Sequence, residues 1–243
     1  TIASTNGSVT ANGADGVGLG GGGGGGRIAI EYDAVAQDGM PPPTVAIEAR
    51  AGERADIGTL CFTDGRFVRT NVTLLHGQLV GLTEWRGESL TVNNCWIRFM
   101  EPGFQLTVTN DLLVKGSEGR LDIGGNTVVT GGVNFYVNSA MTSAPVVNVG
   151  GQLVVTNRAY FYVFAGVTNA TTTNYGALVS VTGAVVVGGH GGIYPVSHAD
   201  NGGSVLWRVG RLAVLSGSTN AGVNADYGGF RGRVAADGAG PGG

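Results

Sequence analysis

Charge is what this sequence has least of. Asp, Glu, Lys and Arg together make up 13% of 243 residues, about half the usual share. Lys115 is the single lysine, and the arginines are scattered with no basic stripe. At a net charge of −3 nothing here neutralises a run of phosphates, which argues against nucleic acid as a partner. No apolar run approaches the roughly 20 residues of a membrane-crossing helix, so no membrane span is expected. Helix signals are nearly absent. The chain opens on Thr1 without a visible signal peptide, which reads as a mature, processed chain or a piece of a longer one. Its two cysteines, Cys61 and Cys95, suit one disulfide in an oxidising compartment or two buried free thiols.

Glycine is the opposite case, at 46 residues with no G-X-Y period and only seven prolines. Hydrophobic residues stay at 42%, whereas a disordered chain combines high charge with few β-branched residues. The chain therefore folds. It is long enough for one large all-β domain or two small ones.

Short runs rich in Val, Leu, Ile, Thr and Tyr fill the middle, punctuated by Gly and Asn: FQLTVTNDLLV (104–114), PVVNVGGQLVV (145–155), ALVSVTGAVVV (177–187) and SVLWRVGRLAV (204–214). Such runs predict strands. A degenerate repeat, V-(T/G)-(N/G)-x-(V/L)-x-V, fits 108–114, 149–155 and 181–187. A copy at Val129 carries two extra residues and one at Val209 carries one fewer. The valines lie 21, 20, 32 and 28 residues apart, a variable period that suits stacked coils with side loops of different length. The expected fold is all-β, a parallel β-helix (β-solenoid) with glycine-rich terminal segments. In it V-x-V triplets line the core, and Asn110, Asn126, Asn157 and Asn201 sit near corners. A β-sandwich is the alternative. The expected divisions are a glycine-rich element at 1–43, the body at 44–215 and a second glycine-rich element at 216–243, with MPPPT (40–44) as the rigid break.

The two ends echo each other. STNGSVTANGADG (4–16) is like STNAGVNADYGG (218–229), and VAADGAGPGG (234–243) is like VTANGADGVG (9–18). Between the first pair runs Gly20 to Gly26, seven glycines followed by Arg27. A phosphate loop needs G-x-x-x-x-G-K-(S/T) opening a helix, but the strand-like sequence RIAI comes next instead. A flexible linker is a second reading. A third is close packing, in which glycine lets backbones approach where no side chain fits.

Candidate chemistry is thin. DGR (64–66), EWRGE (84–88) and SEGRLD (117–122) alternate acids with arginines and read as solvated pairs on turns. Polysaccharide lyases and hydrolases need a cluster of acids, which an isolated Asp122 does not supply. His190, His198 and Asp200 lie close in sequence but read as a surface turn, not a metal site. Neither catalysis nor a cofactor is expected. Asn6, Asn71 and Asn169 head N-glycosylation tripeptides. Tyr160, Tyr162, Tyr175, Tyr194 and Trp207 are candidates for stacking on sugar rings.

SVTANGADGVGLGGGGGGGRIAI, VAADGAGPGG and the V-x-V runs together resemble the glycine-rich β-helix segments of large bacterial surface and autotransporter-like proteins. The resemblance implies an extracellular or cell-surface location and a structural or adhesive role, and it carries no catalytic residue. A solenoid exposes unpaired strand edges at both ends. The expected partner is therefore another copy of the chain in a head-to-tail filament, with Ile2, Val9, Val223 and Val234 as the contact residues. Glycans are the alternative partner, and polysaccharide cleavage a less favoured third function.

Overall fold

Alternating Val, Leu and Thr cannot hold a helix stripe, and the chain resolves that pattern as short strands. The computed structural model describes residues 1–4, 6–17, 20–125, 127–130, 133–136, 142–167, 175–199, 203–215, 221–226 and 229, with backbone only for 127–130 and 133–136. In chain order the first strands are β1 (Ser8–Thr10), β2 (Arg27–Ile30), β3 (Ala46–Glu48), β4 (Thr59–Phe62), β5 (Asn71–Val72), β6 (Leu75–Val80) and β7 (Glu84–Gly87). Next come β8 (Leu90–Asn93), β9 (Trp96–Phe99), β10 (Gln105–Val108), β11 (Leu112–Lys115), β12 (Arg120–Ile123), β13 (Thr127–Thr130) and β14 (Val133–Tyr136). The last are β15 (Val146–Val149), β16 (Leu153–Thr156), β17 (Tyr160–Phe164), β18 (Ala177–Val187), β19 (Gly192–Val196), β20 (Val205–Val214) and β21 (Gly222–Val223). One five-residue helix, α1 (Ala34–Asp38), is capped by Asp33, whose carboxylate accepts from the Ala36 amide.

The fold is all-β, and its two large sheets are parallel. One holds ten strands in the order β1-β3-β6-β9-β12-β17-β19-β21, with β4 also on β6 and β2 on β4. The other holds nine, β5-β8-β11-β16-β18-β15-β10-β7, with β20 on the free side of β18. Neither sheet closes on itself, and their inner faces share one apolar core. A β-sandwich would be built of antiparallel pairs. Among the described residues that pairing occurs only between β13 and β14.

The repeat is the register of the nine-stranded sheet. Val108 pairs with Val149, Val149 with Val181 and Val181 with Val209. Leu112, Leu153, Val185 and Leu212 form a second row, and Val114, Val155, Val187 and Val214 a third. The residue missing from the last copy coincides with a register shift between Val181 and Ala184. Each Val or Leu fully buried in such a row contributes about 1.5–3 kcal/mol, which is why the rows recur in sequence. The copy expected at Val129 is a correction: Val129 lies on β13, which pairs antiparallel with β14 outside both large sheets. Its signal was Gly131-Gly132, two residues that suit a hairpin turn.

Corners adopt the left-handed conformation only in part as expected. Asn157 has φ 57° and Asn94, which the sequence reading passed over, φ 51°. Asn110 does not adopt a positive φ; Asn126 and Asn201 lie outside the described residues.

The glycine run is packed between two other segments. Gly26 and Gly23 donate to the Ala11 and Ala14 carbonyls at 2.7 Å each, while Gly22 and Gly25 donate to Glu53 (2.7 Å) and Asp56 (3.0 Å) on the other side. Gly52 and Thr59 donate back to Gly23 and Gly26. A Cβ on Gly25 would fall on the Ala49 carbonyl oxygen and the Gly58 amide nitrogen. Three backbones meet where no side chain fits, so the phosphate-loop and linker readings give way to close packing. Through β1 and β2 the N-terminal element joins the same sheet as the body.

One buried base makes this fold acid-sensitive. His76 on β6 is buried, its Nδ1 accepts from the Trp96 amide at 3.3 Å, and its Nε2 has no partner. Burial pushes its pKa down to about 4; Arg50 acts the same way, against Glu48 and Glu118. The folded state binds this proton less readily than the unfolded chain. Stability is therefore full above about pH 6.5 and falls as the pH drops towards 4. Urea unfolding measured across that window should show a slope that His76→Gln flattens.

Candidate functional site

Parallel stacking leaves the last strand of each row with one face covered and the other bare. At one end of the nine-stranded sheet, β20 pairs, among the described residues, only with β18. Its Val209, Leu212 and Val214 continue rows whose preceding members, Val181, Val185 and Val187, are buried, yet they are 36%, 53% and 49% exposed. Leu215 beside them is exposed as well. These side chains occupy core positions, and among the described residues no strand pairs over them.

The ten-stranded sheet ends in the same way. Among the described residues its terminal strands are β1, β2 and β21, and β1 and β21 come from the two sequence segments that echo each other. Val223 continues the row Ile97, Leu121, Phe161, Ile193, and Val9 the row Leu75, Ile47. All six preceding residues are buried, whereas Val223 is 46% and Val9 40% exposed. Of the other two residues expected to mediate self-association, Ile2 is held against α1, its amide donating to Gln37 Oε1 at 2.6 Å. Val234 lies outside the described residues.

The opposite side of the ten-stranded sheet carries a ladder the sequence reading missed. Register puts Trp96, Arg120 and Tyr160 in one row and Arg98, Asp122, Tyr162 and Tyr194 in the next. Asp122 accepts from Trp96 Nε1 (2.9 Å), Arg98 Nε (3.0 Å) and Arg120 Nε (2.7 Å). Arg98 also grips both Asp56 oxygens, at 2.7 and 3.0 Å. Burial alone would raise the Asp122 pKa; Arg120 and Arg98 outweigh it and hold the carboxyl below its usual range. The Arg120 guanidinium lies 4.1 Å from the Trp96 ring centre and 4.2 Å from that of Tyr162, which stacks on Tyr194 at 4.5 Å.

Asp122 is thus fully buried, correcting its reading as part of a solvated surface pair. A carboxylate held ionised by two arginines is a poor general acid or base, so the ladder is built to hold strands together. Glu84–Arg86 and Glu118–Arg50 are surface pairs, at 3.0 and 2.7 Å.

The remaining candidates do not converge. His190 is exposed and His198 buried, Asp200 lies outside the described residues, and no group of three metal-ligating side chains occurs among those described. The disulfide does not form. Cys61 is exposed on β4, while Cys95 is buried, its thiol donating to the Val72 carbonyl at 3.2 Å and pushed up to about 12 by burial. One side chain faces out and the other in, which a bridge cannot span. Asn6 and Asn71 are exposed, and Asn169 lies outside the described residues. Tyr160 and Tyr162 cluster with Tyr194, but Trp207 turns to the core, edge-on to Phe161 at 6.4 Å. Tyr175 is half-buried.

No family model matches this chain, and no curated protein or solved structure matches it either. Among the described residues no helix is long and apolar enough to cross a membrane.

Proposed function

We propose that this chain is a β-solenoid that serves as a structural subunit of an extracellular or cell-surface assembly, self-associating through the open end of its core. The observation that carries this reading is the exposed row Val209, Leu212, Val214 on β20, which extends buried rows by one uncovered layer. An apolar edge strand of this length invites another strand, and soluble monomers ordinarily blunt such edges. The location rests on the resemblance to bacterial surface proteins. A structural role rather than a catalytic one is supported by the arginines that fully engage the buried carboxylate Asp122.

Light scattering on purified chain should give a mass above the 24.5 kDa monomer that rises with concentration. Leu212→Glu, which alters an exposed side chain and leaves the β18 pairing in place, should return the chain to monomer. A wild-type chain that stays monomeric at millimolar concentration overturns the reading.

A second reading, glycan binding, is favoured by Tyr160, whose exposed ring lies within 5.8 Å of Tyr194 and 6.5 Å of Tyr162. A glycan array should then show a binder that Tyr160→Ala loses. No binder above background removes this reading.

A further inference from the structure

A groove on the outer face of the ten-stranded sheet lies at the end of the tyrosine cluster. We infer that it is a saccharide-binding site, which takes an uncharged pyranose on the Tyr194 ring and against Asn224 and Asp226. This deepens the glycan-binding reading above and rests on it.

Register makes the groove. Along the row Trp96, Arg120, Tyr160 the next two members are glycines, Gly192 and Gly222. The outer face therefore steps down to bare backbone after Tyr160. Nothing lies within 4 Å of a Cβ placed on Gly222. In the neighbouring row Asn224 follows Tyr194, its amide donating to the Ile193 carbonyl at 2.8 Å. Tyr194, Gly222, Asn224 and Asp226 line an open groove of about 500 Å³, within the size range of small-ligand pockets.

The aromatic ring is fixed before any ligand arrives. Tyr194 stacks on Tyr162 at 4.5 Å, and the Arg120 guanidinium lies 4.2 Å from the Tyr162 ring centre. The edge of Tyr194 rests over Gly192, where a Cβ would fall 2.6 Å from its Cε2. A ring already held in place binds with little ordering cost, and the C–H face of a pyranose is the apolar surface it accepts. Polar groups then set the orientation. Asn224 Oδ1 accepts from the Asp226 amide at 2.7 Å, and both exposed side chains stand at the groove. An amide and a carboxylate together donate to and accept from neighbouring hydroxyls of one sugar. Among the described lining residues Asp226 is the only charged one, and it disfavours an acidic sugar. Tyr160, exposed and 5.8 Å from Tyr194, stands where the next residue of an oligosaccharide would pass.

The test is an array carrying neutral hexose and N-acetylhexosamine glycans beside uronate and sialylated ones, probed with the full chain and two variants. Gly222→Leu fills the groove from a position with open space around its Cβ, and urea unfolding checks that it folds like the wild type. Neutral glycans should bind and acidic ones should not. Gly222→Leu should abolish that binding, and Asp226→Asn should weaken it about tenfold through loss of a charged hydrogen-bond acceptor. Neutral binding that is unchanged in both variants overturns the groove and leaves glycan binding elsewhere on the chain. Preferential capture of uronates or sialylated glycans by the wild type overturns the ligand class. An array with no binder removes the groove together with the reading beneath it.

Discussion

Asp122→Ala should destabilise this protein by about 3–5 kcal/mol, the usual consequence of removing one member of a buried ion pair. The wild-type carboxylate answers two buried or nearly buried guanidiniums and one indole N–H at 2.7–3.0 Å. Without it Arg98 loses one of its two carboxylate partners and keeps the pair with Asp56, and Arg120 loses the hydrogen bond that fixes it between the rings of Trp96 and Tyr162. Asp122→Asn keeps an acceptor for one donor but removes the charge, so it should fall between alanine and wild type. Urea unfolding followed by circular dichroism measures all three. A loss below about 1 kcal/mol for alanine, the level of an exposed pair, would mean that the ladder contributes little to holding β9 and β12 together.

The second large effect is expected at a glycine. Gly25→Ala should cost about 3 kcal/mol, the upper part of the range for overpacking. The new Cβ meets backbone on two sides, the Ala49 carbonyl and the Gly58 amide, and backbone cannot step aside as a flexible side chain can. Gly21 is the control within the same run. Nothing lies within 4 Å of a Cβ placed there, and Gly21→Ala should be neutral or slightly stabilising because it restricts the unfolded chain. Equal losses at both positions would return the run to a simple preference for flexible backbone; the difference between them isolates the close approach.

The inner rows were legible in the sequence because stacking imposes sameness: every layer needs a Val or Leu at the position that faces the core. Aligning the copies on Val108, Val149 and Val181 therefore reproduced the register. Val129 misled because the local pattern of a hairpin strand is the same alternation, and only the Gly131-Gly132 pair distinguishes it. The ladder stayed hidden for another reason. Arg98, Asp122 and Asp56 sit on separate layers joined by corners of unequal length, so their spacing carries no period. A sign was present in WIRF (96–99), RLDI (120–123) and YFYVF (160–164), whose outward residues align once the inward ones do. The exposed ends were foreshadowed by the echo between residues 4–16 and 218–229. That echo named Val9 and Val223 but not β20, because exposure at a core position depends on whether another layer covers it, which no local pattern encodes.

Cryo-electron microscopy of the concentrated, unmodified chain tests the central claim most directly. Coils stacked along a rod and rods joined at their ends should appear as thin unbranched particles longer than one copy. Their summed power spectrum should carry a layer line near 4.8 Å along the particle axis. Isolated particles one copy long at every concentration, or an axial spectrum without that spacing, would contradict it.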